Sequence, residues 1–81
     1  MRIGKYRLSH HAAVRMVEMG LTATTVEDVL NKWVNRYEQP RFGEGRFVYQ
    51  KGAIAVATSE VPGTEPVILT VLWNKKEQWK R

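Results

Sequence analysis

The sequence predicts an α+β fold in which two N-terminal helices pack on a small antiparallel sheet of three to four strands. Apolar residues recur at helical spacing between Ser9 and Val34. Residues beyond Pro40 alternate like strands about a Lys51-Gly52 reversal, and Val67 to Trp73 is nearly all apolar. Eighty-one residues leave room for one domain, 1–81, read as a helical hairpin at about 9–34, a sheet at about 36–73 and a basic tail at 74–81.

Each element has a local cause. Tyr6 to Leu8 suits a short strand, and Ser9 is a good N-cap for a helix from about His10 to Met19. Ala13, Met16, Val17 and Leu21 give that helix an apolar face, and Gly20 supplies its left-handed end. The second helix begins after Thr22 or Thr24, with Thr24 and Glu27 fitting a capping box, and along it Val26, Val29, Leu30, Trp33 and Val34 form a core-facing stripe. Arg36 to Gln39 reads as an edge strand ended by Pro40, and Gly43-Glu44-Gly45 as a turn. Arg46 to Gln50 and Ala53 to Thr58 read as a hairpin that opposes Tyr49 to Ile54. Its bulky face, Phe47, Tyr49, Ile54 and Val56, is expected to receive the helices. The other face carries Arg46, Val48, Gln50 and alanines, a shallow, partly polar surface on which a nucleic-acid strand fits. Ser59 to Pro66 is a loop, and Val67 to Trp73 reads as a strand covered on both faces.

Composition narrows the function classes. A net charge of +5 and a pI near 9.9 favour an anionic partner or simply a soluble surface. The absence of cysteine excludes disulfides and thiolate metal sites and suits a reducing compartment such as the cytoplasm. The apolar stretches are too short for a membrane span, and the basic N-terminus lacks the apolar run of a signal peptide.

His11 and Arg15 stand four apart and project from one side of the first helix. An imidazole exchanges protons near neutral pH and a guanidinium holds phosphate, the two services that metal-free RNA cleavage requires. Spacing alone also fits a plain surface, with Arg15 paired to Glu18 and His11 in the first turn. Adjacent His10 and His11 point about 100° apart and converge poorly on a metal. Thr70 is the lone hydroxyl in its apolar strand, and Trp73 and Trp79 flank the tail that carries Lys75 and Lys76.

At the level of motifs the chain resembles small bacterial and phage domains with a His-Ala-x-x-Arg-Met helix, a Gly-Ile/Leu-Ser/Thr link and a Thr-Val strand. The corresponding segments are His11-Ala12-Ala13-Val14-Arg15-Met16, Gly20-Leu21-Thr22 and Ile68-Leu69-Thr70-Val71-Leu72-Trp73, spread over residues 6 to 73. Those domains are grouped with the barnase–EndoU–colicin–RelE fold, which includes metal-independent ribonuclease toxins. The resemblance therefore implies a RelE-like fold and a toxin-like RNA-binding or RNA-cleaving domain without a cofactor. His11 would be the acid or base, Arg15 would hold phosphate and Thr70 would orient the substrate, while Arg46, Lys75, Lys76 and His10 contact nucleic acid. Met19 departs from the arginine that such domains carry before the glycine. Two other partners fit the sequence, a host protein or an antitoxin. A DNA-binding regulator ranks below them, because Glu27 and Asp28 make the second helix a poor recognition helix.

Overall fold

A computed structural model describes residues 2–73. Helix α1 (His10–Met19) starts where the Ser9 hydroxyl accepts from the Ala12 N–H at 3.0 Å. It ends at Gly20, whose φ of 69° lets the Leu21 N–H turn back to the Met16 carbonyl at 2.9 Å. Helix α2 (Ala23–Asn31) follows at once, so its cap is Thr22, which accepts from the Thr25 N–H, and the expected Thr24–Glu27 box does not form. The helix also stops earlier than its apolar stripe suggests. Val26, Val29 and Leu30 are buried, but Trp33 and Val34 lie past the last turn and stay exposed. On α1 the buried face is Ala12 and Met16, and Val17, expected inside, is 81% exposed.

The sheet corrects the expected architecture. It has six strands and mixed direction, where three or four antiparallel strands were expected. The strands are β1 (Arg2–Ile3), β2 (Tyr6–Leu8), β3 (Asn35–Glu38), β4 (Arg46–Lys51), β5 (Ile54–Ser59) and β6 (Val67–Trp73), in the order β1-β2-β6-β5-β4-β3. The extra strands come from the N-terminus. Gly4, at φ 59°, turns β1 back on β2, and β2 adds to β6 in parallel while every other neighbour pair is antiparallel. The polypeptide between β2 and β6 includes both helices, which makes the long connection a parallel neighbour needs.

The central hairpin keeps its expected faces with its pairing slid by two residues. Lys51 opposes Ile54 and Tyr49 opposes Val56, so the loop is Gly52-Ala53 and glycine takes the positive φ of 61° that lysine would resist. A two-residue slip preserves the alternation. Tyr49 and Val56 therefore face the helices with Ile3, Tyr6, Leu8, Ala12, Met16, Val26, Ile68 and Val71, and Phe47 and Ile54 pack against this core.

Strand β6 is not covered on both faces along its length. A bulge leaves Leu69 without an opposite residue, since Ala57 faces Thr70 and Thr58 faces Ile68. Ile68 and Val71 are fully buried under the helices, and Leu69 and Thr70 both line the opposite face. Beyond the end of β2 the edge of β6 is closed by α1. The Ser9 hydroxyl donates to the Leu69 carbonyl at 3.0 Å and Arg15 Nε donates to the Val71 carbonyl at 3.3 Å.

Candidate nucleic-acid interface

The face of the sheet turned away from the helices holds a hollow of about 430 Å³. Register explains its shape. Tyr37, Val48, Ala57 and Thr70 stand in one row across β3, β4, β5 and β6, and Asn35, Gln50, Ala55 and Leu72 in the next. Two alanines on the central strand make a floor low enough for a ligand to approach the backbone. Tyr37 and Phe42 rim one side and Trp73 the other, each at least 44% exposed. The short helical turn at Pro40–Phe42 places Phe42 there.

Among the described residues no acidic side chain lines this hollow, and Arg46 does. Elsewhere among the described residues most cations are occupied. Arg2 and Arg7 pair with Glu65, Arg15 with Glu18, and Lys32 and Lys51 with Asp28, whose carboxyl the Lys51 contact holds below its ordinary range. Lys5 lies over the Tyr6 ring and Arg36 over Phe47 and Tyr49. Among the described residues only Arg41 and Arg46 have neither an acidic nor an aromatic partner; Arg41 lies in the segment joining β3 to β4 and Arg46 opens β4. A phosphate backbone meets positive charge here without repulsion.

The residues expected to act together are divided between two places. His11 and His10 are exposed on the first turn of α1, and His11 makes no hydrogen bond or ion pair among the described residues. The Arg15 guanidinium is held by the Val71 carbonyl and by Glu18 at 3.2 Å. Thr70 lines the hollow on the opposite face, and neither His11 nor Arg15 does. Lys75 and Lys76 lie outside the described residues. Arg46 is where the sequence places it, on the open face with Val48 and Gln50.

Thr70 carries a buried hydroxyl oxygen with no hydrogen-bond partner among the described residues. An unsatisfied buried hydroxyl costs on the order of 1–3 kcal/mol. Thr70→Val removes it at nearly constant shape and is expected to stabilise the fold by about 1 kcal/mol, raising Tm by about 4–8 °C. Thermal denaturation measures this; a lowered Tm would mean that the hydroxyl is bonded.

A second hollow, of about 460 Å³, opens on the helix side and is built around Glu60, which sequence reasoning passed over as a loop residue. Glu60 Oε2 accepts from the Tyr49 hydroxyl at 2.5 Å, Thr58 at 2.7 Å and Tyr6 at 3.1 Å. Burial raises the Glu60 carboxyl, but those three hydroxyls and the charge of Arg36 outweigh it and leave it below its ordinary value. Burial also pushes the Tyr6 phenol well up, helped by its bond to Tyr49 and by Glu60. The signal that points to Glu60 is the pair of strand tyrosines, since buried phenols require partners. With Glu27 and Glu60 beside Lys5 and Arg36, this hollow has no excess of positive charge.

No helix among the described residues is long and apolar enough to cross a membrane. Comparison of the chain with protein-family models, with curated proteins and with solved structures finds no match to any of them.

Proposed function

We propose that this domain binds single-stranded RNA across the open face of its sheet. The observation that carries the reading is a hollow whose described lining has no acid, with its alanine floor, three exposed aromatic rims and Arg46. Aromatic faces stack unpaired bases without regard to sequence, and arginine holds the backbone between them. RNA in preference to DNA, a toxin-like role and a cytoplasmic site of action belong to the same proposal and draw on the motif resemblance.

Binding without turnover is the reading that the side-chain geometry favours. A phosphate-holding arginine needs free donors and an unbalanced charge, and Arg15 commits two of its five donors to Val71 and Glu18, whose carboxylate also offsets its charge. Cleavage at His11 and Arg15 would also occur away from the hollow that contains Thr70.

Fluorescence anisotropy with a labelled single-stranded RNA tests the proposal. Arg46→Glu is expected to weaken binding by about tenfold or more, because it replaces the cation of the hollow with an acid. His11→Ala is expected to leave affinity within about twofold, as a residue outside the contact surface should. Equal binding by the native protein and Arg46→Glu, or no binding at low salt, would count against the open face. Intact RNA after long incubation with native protein supports binding alone, whereas cleavage abolished by His11→Ala would restore the catalytic reading.

A further inference from the structure

We propose that the free edge of β3 pairs with the same edge of a second copy of this chain, forming a symmetric dimer with one continuous sheet. This inference does not rest on RNA binding. Unpaired strand edges are templates for pairing unless something guards them. The edge at β1 is only Arg2–Ile3, with Arg2 tied to Glu65, and the exposed stretch of β6 is closed by Ser9 and Arg15. Strand β3 has no such cover among the described residues. All four of its residues are exposed, and neither lysine nor proline lies within it.

The charges along β3 favour the register in which they pair with each other. Opposed residues share a face, so a symmetric antiparallel pair must place a residue opposite itself. Centring on Arg36 sets two arginines against each other, and centring on Glu38 sets two glutamates. Centring on Tyr37 sets Arg36 opposite Glu38 of the second copy, twice over, on the helix side of the sheet where Arg36 and Glu38 oppose Tyr49 and Phe47. The same register brings Val34, 69% exposed, level with Pro40 of the second copy. Trp33 and Tyr37, both exposed, flank the same edge. The edge thus matches itself in charge and in apolar surface.

Sedimentation velocity over a concentration series tests the inference, with circular dichroism confirming the fold of each variant. The native protein is expected to dimerise below about 1 mM. Glu38→Arg, at an exposed position without an ion pair among the described residues, is expected to weaken the dimer by about tenfold or more, by setting arginine against arginine. Arg36→Glu should do the same, and the double variant Arg36→Glu/Glu38→Arg should restore dimerisation. If Arg36→Glu loses its fold, Glu38→Arg decides alone. A native monomer at about 1 mM, or a dimer indifferent to Glu38→Arg, overturns the inference.

Discussion

Gly45→Ala is expected to cost about 3 kcal/mol or more, a large part of the roughly 5–10 kcal/mol available to a domain of this size. Two separate effects add. Gly45 sits at φ 74°, where a side chain costs about 1–2 kcal/mol. A Cβ there would also meet the backbone of Glu60 and Val61 at 2.9 Å, and backbone atoms cannot rotate away as a side chain can. The Gly45 carbonyl meanwhile accepts the Glu60 N–H at 2.7 Å, so any retreat disturbs the carboxylate that gathers the hydroxyls. Gly63→Ala is the control. Its φ is 85° but nothing lies near its Cβ, so it should cost only about 1–2 kcal/mol. Urea denaturation of both variants measures the difference. Equal losses would show that the close approach at Gly45 contributes nothing.

Glu60→Ala is the other large loss, at about 3 kcal/mol, because it leaves the hydroxyls of Tyr6, Tyr49 and Thr58 without their shared acceptor. Tyr49→Phe removes one donor and leaves the acceptor two others, so about 1 kcal/mol is expected. The pH dependence has a fixed sign. The folded Glu60 carboxyl lies below its ordinary value of 4.5, so its contribution is complete above that value. It is lost as pH falls through the lowered value, where the unfolded chain binds more protons. Tyr6 is raised above its ordinary 10.0, so its contribution holds below pH 10 and is lost at more alkaline pH. Denaturation midpoints across pH should therefore fall at both extremes in the native protein. Glu60→Gln should flatten the acid limb, and an unchanged acid limb would remove Glu60 as its source.

Local chemistry made much of the fold legible. Ser9 and Gly20 mark α1 because one supplies an acceptor and the other a left-handed backbone, both properties of single residues. Alternation through Phe47, Val48, Tyr49 and Gln50 separates the helix face from the open face, and this survived an error of two residues in pairing. What the sequence concealed depends on distant parts of the chain. The parallel pairing of β2 with β6 needs the whole intervening polypeptide to cross over, and two-residue β1 carries no periodicity. Trp33 and Val34 extend the apolar spacing of α2, but nothing in that spacing marks where the helix ends. The site follows the same division. Arg46, Val48 and Gln50 were legible as one surface, whereas Leu69 joins it only through a bulge. Arg15 and Thr70 look like partners in a motif, yet Arg15 meets the edge of the terminal strand and Thr70 the face beyond it.

The most direct test is a two-dimensional amide NMR titration with a short single-stranded RNA. Binding on the open face predicts shifts concentrated at Tyr37, Arg46, Gln50, Ala55, Ala57 and Thr70, with His11 and the outer turns of α1 unmoved. Shifts centred on His10, His11 and Arg15, with the β4 and β5 amides unchanged, would contradict it.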